Sequence, residues 1–190
     1  MTTIAEPEIL TTEQLDAMPE DGMERWLIRG QLRERELTKR NRGHSWIETK
    51  IAQALQNWVD NQPEPRGEVL VGEAGIRLRK NPDTTVGVDV AYISAETADA
   101  NPDLERILEG IPELIVEILS PSDKHEEIAE KVTVYLECGV KLVWVVDVRF
   151  RTITVYRSDA EPQLFNIDQK LTAEPHLSGF AVPVARLFSR

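Results

Sequence analysis

The spacing of apolar residues predicts a long helix in the first third of the chain. Within residues 44–59, apolar side chains recur every three or four positions, the period of one helix face. These residues are Ile47, Ile51, Ala54, Leu55 and Trp58. Because Pro63 and Pro65 follow and cannot continue a helix, the segment is predicted to end before them.

A second long helix is predicted after residue 119. The run Ser120-Pro121-Ser122-Asp123 is typical of a helix start, since a serine or aspartate oxygen accepts from free backbone N–H groups and proline fits the first turn. The helix is predicted to run to about Cys138 and to stop at Gly139. We also expect short helices around Thr12–Met18 and near Leu104–Leu108, and a docked loop with a short helix in the C-terminal tail.

Short apolar or alternating runs predict strands between these helices. They are Arg25–Ile28, Gln31–Leu37, Val69–Gly72, Gly75–Arg79, Val86–Ile93, Leu114–Leu119, Lys141–Asp147 and Thr152–Tyr156. The first two meet at Gly30 and predict an N-terminal β-hairpin. Strands outnumber helices, so we predict a single α/β domain over residues 1–190, with a mixed central sheet flanked by helices.

Three charged residues break the predicted burial pattern. Asp89 lies inside the apolar run VGVDVAYI, and Glu117 lies inside LIVEIL. Lys131 lies on the apolar stripe of the second long helix, three residues after Ile128 and four before Tyr135. A buried carboxylate without a partner costs several kcal/mol, so the three charges call for a common explanation.

Two explanations of Asp89, Glu117 and Lys131 are open from spacing alone. Two carboxylates can hold Mg²⁺ through oxygen ligands, and an ammonium group beside them can orient water or offset charge on a phosphate. The other explanation is a buried ion pair between lysine and a carboxylate, without catalysis.

The charge is distributed unevenly along the chain. With 33 acidic and 22 basic residues among 190, the formal net charge is −11, which excludes general coating of nucleic acid or anionic membrane. Residues 25–42 reverse this sign, with seven basic residues against two acidic ones. This basic segment is interpreted either as a charged hairpin edge or as a surface facing phosphate. Its DNA-binding candidates are Arg33, Arg35, Lys39, Arg40 and Arg42.

Cysteine content and hydropathy favour a cytoplasmic protein. Cys138 is the single cysteine, so no intramolecular disulfide can form, as is usual in a reducing compartment. The longest apolar runs, such as Leu142–Val146, have the length of a strand and are too short to span a bilayer. We therefore expect no association with a membrane.

Several motifs in order resemble the Uma-type restriction endonuclease family over nearly the whole chain. The stretches are MPEDGMERWLIRGQL, RGHSWIETKIAQAL, GEAGIRL, VDVAYIS, PELIVEILSPSDKHEEIAEKVTVYLECGVKLVWVVD, TITVYR and LSGFAVPVARLF. That family belongs to the PD-(D/E)xK nuclease superfamily. The resemblance implies a restriction-endonuclease-like mixed sheet with a helix on each side and a metal-dependent phosphodiesterase site.

The resemblance also implies roles for individual residues. Asp89 matches the motif aspartate, Glu117 the second acid, and Lys131 the lysine that the family keeps on the helix. The chain departs from the superfamily pattern at Leu119, where the lysine is expected, and at Val88, where the family has proline. Glu48 resembles the additional helix acid of many members and is a further candidate metal ligand. His44, an auxiliary residue, resembles a recurring family histidine, and its other interpretation is a capping or packing residue. Glu73, between Gly72 and Ala74, can reach the same site or face solvent.

The sequence therefore predicts an endonuclease that hydrolyses DNA and depends on Mg²⁺, with Mn²⁺ as a substitute. We expect a homodimer, because two basic segments can join into one groove that offsets the acidic balance. The alternative is a catalytically silent scaffold or regulatory interaction protein on the nuclease fold. A metal-dependent enzyme for another phosphoester would use the same residues.

Overall fold

The computed structural model describes residues 9–37 and 39–189. Five helices lie in these ranges: α1 (Thr12–Asp16), α2 (Arg42–Val59), α3 (Ala95–Asp99), α4 (His125–Cys138) and α5 (Val184–Phe188). The strands are β1 (Met23–Ile28), β2 (Gln31–Glu36), β3 (Glu68–Arg79), β4 (Thr84–Ile93), β5 (Leu108–Glu109), β6 (Leu114–Ile118), β7 (Leu142–Asp147), β8 (Thr152–Arg157), β9 (Ala160–Phe165), β10 (Lys170–Thr172) and β11 (Ala181–Pro183). Within the described ranges, no helix combines the length and apolar character needed to cross a membrane.

A large mixed sheet forms the centre of the molecule. Its strand order is β2-β1-β4-β6-β7-β8-β9, with β3 paired to β4 and β5 paired to β3. The neighbours β6 and β7 are parallel and are connected through α4, whereas β4 is antiparallel to β1, β3 and β6. A separate pair, β10 and β11, lies near the C-terminus. This arrangement confirms the predicted α/β class, the central mixed sheet and the N-terminal hairpin of β1 and β2.

Both faces of the sheet are covered by apolar packing. On one face, Ile47, Ile51 and Leu55 of α2 pack with alternate residues of β6 and β7 and with the C-terminal segment, around the fully buried Trp144. On the other face, Val132 and other residues of α4 pack with β1, β3 and β4. Strands covered on both sides are expected to be apolar throughout, as β6 is except for Glu117.

The ends of the two long helices follow local capping chemistry. Helix α2 begins at Arg42, two residues before the predicted start, because the side chain of Asn41 accepts a hydrogen bond from His44 N–H at 3.0 Å. Helix α4 ends as predicted at Gly139, whose φ of 104° is a left-handed conformation that favours glycine.

The predicted start of α4 was wrong. The helix begins at His125, and its N-cap residue, Lys124, makes no capping hydrogen bond through its side chain. The carboxylate of Asp123 is used elsewhere, since it accepts from Ser120 N–H at 2.7 Å and pairs with Arg35 at 2.8 Å. The run from Ser120 to Asp123 is therefore a turn before the helix.

Three other regions differ from the predicted elements. The helix predicted near Leu104–Leu108 is absent from that described segment, which forms a turn leading into β5, while a short helix lies earlier, at α3. Leu104 is 87% exposed, whereas Leu108 is buried as part of β5, so the apolar residues of this segment do not form one helix face. The two runs 69–72 and 75–79 form one strand, β3, with an irregularity between Val71 and Ala74. The tail contains α5 as predicted, but β9, β10 and β11 were not predicted.

Candidate active site

Asp89 and Glu117 lie next to each other on neighbouring antiparallel strands. Val90 of β4 pairs with Val116 of β6, and because the strands are antiparallel, Asp89 and Glu117 both follow that pair at the same end. Both side chains are buried, with residue exposures of 4% and 6%. The sheet therefore brings together two acids that are 28 residues apart in the sequence.

Helix α4 surrounds the carboxylate of Glu117 with donors. Lys131 Nζ lies 3.1 Å from both Oε1 and Oε2, and the hydroxyl of Tyr135 donates to Oε1 at 2.5 Å. Burial raises the pKa of Glu117; the positive charge of Lys131 opposes this effect, and the negative charge of Asp89 adds to it. Burial and the nearby Glu117 raise the pKa of Tyr135 well above its ordinary value, so its hydroxyl keeps its proton.

Asp89 is held by groups from three other segments. Its Oδ2 accepts from Ile118 N–H at 2.6 Å, and its Oδ1 lies 3.2 Å from His44 Nε2 and 3.6 Å from Arg40 Nη2. Burial opposes ionisation, but His44, the N–H of Ile118 and the charge of Arg40 together lower the pKa of Asp89 below its ordinary value. The Asp89 side chain is therefore a carboxylate at neutral pH.

The first two turns of α2 contribute His44 and Glu48. His44 is only 1% exposed, and neither ring nitrogen has a hydrogen-bond partner of acceptable geometry among the described residues. Its Nδ1 lies 3.8 Å from Glu48 Oε2, on the opposite side of the ring from Asp89. The other oxygen of Glu48 accepts from Gly72 N–H at 2.9 Å, which ties α2 to β3.

Glu73 reaches the same region through the irregularity in β3. Its φ of 59° is left-handed, and the pairing with β4 shifts between Val71 and Ala74 at this point. Its carboxylate forms an ion pair with Arg40. The structure therefore brings Asp89, His44, Glu48 and Glu73 around the start of α2, and Glu117 and Lys131 around α4.

The donor set suits a hard divalent cation in its chemistry, although the side chains do not converge on one point. Among residues 9–37 and 39–189, no group of three or more histidine, cysteine, aspartate or glutamate side chains is placed to hold a metal ion. Mg²⁺ commonly takes only one or two carboxylates from a protein and fills its other positions with water and substrate phosphate. Asp89 and Glu117 meet that requirement in number and in ligand type. His44, which is buried and has no hydrogen-bond partner in the described part of the chain, offers a further nitrogen beside Asp89.

The basic segment is divided between paired and exposed side chains. Arg33 pairs with Glu130 of α4 at 2.8 Å, and Arg35 pairs with Glu24 and Asp123, each at 2.8 Å. The exposed members of the predicted set are Lys39 and Arg42. The hairpin arginines therefore hold β2 against neighbouring elements, which matches the interpretation as a charged hairpin edge for Arg33 and Arg35.

A cavity of about 310 Å³ reaches the site from the side of β1. Its walls include Lys131, Glu73 and Trp26, together with the turn between α1 and β1. Lys131 Nζ lies 5.7 Å from the centre of the Trp26 ring, so the indole face adds a cation–π contact to the ammonium group.

Two members of this site were not identified from the sequence. Tyr135 was assigned to the apolar stripe of α4, because a tyrosine ring fits that stripe whether or not its hydroxyl has a partner. Its position four residues after Lys131 was the signal that both side chains face the same group. Arg40 was placed among DNA-binding candidates, and its contacts with Glu73 and Asp89 depend on how the segment before α2 folds back.

Comparison with known proteins agrees with this architecture. The model of the Uma2 family, described as "Putative restriction endonuclease", matches residues 12–185. The fold is similar to the 1.96 Å crystal structure of a putative nuclease belonging to DUF820 from Anabaena variabilis ATCC 29413. That match has a TM-score of 0.74 and 18% sequence identity, and it covers 93% of this chain and 96% of the other. Among curated proteins, none matches the chain.

Proposed function

The chain belongs to the Uma2 family of restriction-endonuclease-like proteins, and from this premise we propose that it is a metal-dependent endonuclease that hydrolyses DNA phosphodiester bonds. The observation that carries the proposal is the meeting of Asp89, Glu117 and Lys131. These three buried charged side chains come from β4, β6 and α4: Asp89 and Glu117 lie on paired strands, and Lys131 Nζ lies 3.1 Å from the carboxylate of Glu117. Two acids and a lysine on adjoining elements supply the groups that phosphodiester hydrolysis requires.

Asp89 and Glu117 would hold Mg²⁺ or Mn²⁺, with Glu48, Glu73 and His44 as neighbours able to complete or orient the ligand set. The low pKa of Asp89 supports this role, because a metal ligand must be deprotonated. When bound, the ion polarises a phosphoryl oxygen and lowers the pKa of a coordinated water.

Lys131 would act on the phosphate or on the attacking water. Its Nζ contacts Glu117 at 3.1 Å and lies 5.7 Å from the centre of the Trp26 ring, and the side chain lines the cavity of about 310 Å³. An ammonium at this position offsets negative charge that grows on the phosphate oxygens in the transition state. Tyr135 would orient Glu117 by donating to Oε1, so it is a positioning residue and does not touch the substrate.

The test is a cleavage assay with supercoiled, linear and single-stranded DNA in the presence of Mg²⁺, Mn²⁺ or EDTA. We expect cleavage by the wild type only with metal, and a loss of at least about a hundredfold in Asp89→Asn, Glu117→Gln and Lys131→Met. Glu127→Gln is the matched control, because Glu127 lies on α4 but pairs with the exposed Lys124. Cleavage at the wild-type rate by Asp89→Asn would contradict the assignment.

A catalytically silent scaffold is the second candidate, and one observation favours it. Oppositely charged groups already lie beside these acids within the chain, Lys131 beside Glu117 and Arg40 beside Asp89. A structural ion-pair network needs no metal. Absence of cleavage on all three DNA forms, together with no heat of metal binding in calorimetry, would favour the scaffold.

The homodimer is part of the same proposal. Arg33 and Arg35 are engaged with carboxylates of the same chain, so one copy presents few exposed basic side chains from this segment. In a dimer, the Lys39 and Arg42 side chains of two copies would line one DNA-binding groove of the protein. Sedimentation velocity should show a dimer at micromolar concentration, and a monomer at all concentrations would remove this part of the proposal.

We also propose a cytoplasmic location. Cys138, the single cysteine, is a free thiol, and burial raises its pKa, so it is a weak nucleophile at neutral pH. A protein without disulfides suits a reducing compartment. Cell fractionation with detection of the native protein would test the assignment.

A further inference from the structure

Arg40 occupies a position beside the acids where a metal cation is expected. It belongs to the segment between β2 and α2, and its guanidinium pairs with Glu73 and lies 3.6 Å from Asp89 Oδ1. Only 23% of its side chain is exposed, so it is folded onto the protein. An arginine side chain stays protonated in proteins, so a permanent positive charge sits between these two carboxylates.

Glu73 is directed to this position by the backbone. The left-handed φ of Glu73 and the shifted pairing of β3 turn its side chain toward β4. Gly87 of β4 leaves the space, since a Cβ at that position would lie 3.1 Å from Glu73 Oε2. Gly72, just before Glu73, is fixed by its hydrogen bond to Glu48. A carboxylate held in this way is positioned for a cation by the fold.

His44 gives a separate indication that the region is incomplete without a ligand. The residue is only 1% exposed, and neither ring nitrogen has a hydrogen-bond partner of acceptable geometry among the described residues. Nε2 nevertheless lies 3.2 Å from Asp89 Oδ1. An unsatisfied buried imidazole costs stability unless a ligand or water pairs with it. The vicinity of Asp89 therefore contains one cation in place and an imidazole without a hydrogen-bond partner among the described residues.

We propose that Arg40 is a resident counter-cation that a divalent metal ion displaces, and that the released guanidinium then contacts a nucleic-acid phosphate. The proposal rests on the metal-dependent function proposed above and adds a coupling between the two ligands. Two cations cannot share Asp89 and Glu73 without repulsion, so metal entry drives Arg40 outward. Because Lys39 and Arg42 flank it and are exposed, the released side chain joins the positive surface that phosphate approaches.

The first test measures metal affinity without activity. Calorimetric titration of Mn²⁺ should show binding about tenfold tighter in Arg40→Gln than in the wild type, because the competing cation is gone. Arg40→Lys keeps the charge and should change affinity less, and Arg42→Gln should stay within about twofold of the wild type. Circular dichroism verifies that each variant is folded. Equal or weaker Mn²⁺ binding by Arg40→Gln would overturn the proposal, as would the absence of binding in every protein.

The second test measures the coupling through fluorescence anisotropy of a labelled DNA duplex, with Ca²⁺ as the divalent ion. The wild type should bind the duplex more tightly with Ca²⁺ than without it, and Arg40→Gln should lose most of this gain. An undiminished gain in Arg40→Gln would overturn the release step. The cleavage assay separates this proposal from the nuclease function. If the wild type cleaves DNA but Arg40→Gln binds Mn²⁺ with unchanged affinity, only the displacement is overturned. If Arg40→Gln binds Mn²⁺ more tightly but the wild type does not cleave DNA, the displacement is supported and the nuclease function is contradicted.

Discussion

The carboxylate of Asp89 accepts a hydrogen bond from the backbone N–H of Ile118 at 2.6 Å, across two neighbouring strands. The donor belongs to the residue immediately after Glu117, so this bond fixes Asp89 relative to the second acid through the backbone. A charged acceptor makes a stronger hydrogen bond than a neutral one and is favoured in ionised form. The relative position of the two acids is therefore fixed by the backbone of the sheet.

Lys131 and Glu117 are predicted to stabilise the fold only when both charges are present. Lys131→Met leaves a buried carboxylate without its cation, and we expect the free energy of unfolding to fall by about 3 kcal/mol. In Lys131→Met/Glu117→Gln the buried charge is removed as well, so the loss should be smaller than the sum of the single changes by at least about 1 kcal/mol. Urea unfolding followed by circular dichroism measures all three variants.

Lys124→Met is the matched control for that comparison. Lys124 also pairs with a glutamate, Glu127, but its side chain is 72% exposed, so its removal should change stability by less than about 0.5 kcal/mol. A Lys131→Met protein as stable as the control variant would show that the buried pair does not stabilise the fold.

The hydroxyl of Tyr135 is predicted to contribute to stability and to the cleavage rate through its hydrogen bond to Glu117. Tyr135→Phe keeps the packed ring and removes one donor to a buried carboxylate, which should cost about 2 kcal/mol in urea unfolding. It should also lower the rate of metal-dependent cleavage while leaving DNA affinity unchanged, because Tyr135 orients Glu117 and does not touch DNA. Tyr156→Phe, in β8, is the control. A loss of DNA affinity in Tyr135→Phe equal to its loss of rate would contradict a positioning role.

Sequence alone located the acids and the lysine because each breaks a strong pattern. A carboxylate in the middle of an apolar strand, or an ammonium on an apolar helix stripe, requires a partner, and the structure shows Glu117 and Lys131 as partners. Tyr135 breaks no such pattern, so its hydrogen bond to Glu117 was not predicted from the sequence. The mixed sheet and both long helices were likewise predictable from periodicity.

The contacts of Arg40 and the boundaries of short elements were not predictable in the same way. The approach of Arg40 to Glu73 depends on a β-irregularity and on a connecting segment, neither of which has a periodic signal. In the helix predicted near Leu104, Leu104 is almost fully exposed while Leu108 is buried in the core as part of β5. Tertiary packing decides short helices, and local patterns do not report it.

Asp83 is predicted to make stability depend on pH in the acid range, away from the candidate site. Burial opposes its ionisation, but hydrogen bonds from Thr12, the N–H of Asn81 and the guanidinium of Arg77 lower the pKa of Asp83 from 3.8 to about 2. Because the folded pKa is the lower one, the stabilisation is present above pH 3.8 and is lost as pH falls toward 2. The expected size is about 2 kcal/mol.

Urea unfolding of Asp83→Asn between pH 5 and 2 tests this assignment. The variant should be less stable at pH 5 and should lose less stability on acidification than the wild type. Asp159→Asn, an exposed aspartate in the turn before β9, should follow the wild-type curve. Parallel curves for Asp83→Asn and the wild type would show that another group causes the acid dependence.

Lys39 and Arg42 are predicted to provide phosphate contacts that Arg33 does not. Both are exposed, whereas Arg33 donates to Glu130 from Nη2 at 2.8 Å and from Nε at 3.3 Å. Each lost phosphate contact reduces the slope of log K against log salt concentration by about 0.9 for duplex DNA. Lys39→Ala/Arg42→Ala should therefore reduce the magnitude of the slope by about 2 and weaken binding equally for DNA of unrelated sequence.

Fluorescence anisotropy of a labelled duplex at several salt concentrations measures this slope, with EDTA present to prevent cleavage. Arg33→Ala is the control, because its guanidinium is already engaged by a carboxylate and should release few counterions on binding. If Arg33→Ala lowers the slope as much as the double variant does, the hairpin arginines face phosphate, and their ion pairs must open when DNA binds. An unchanged slope in the double variant would place the DNA-contacting surface outside the segment that precedes α2.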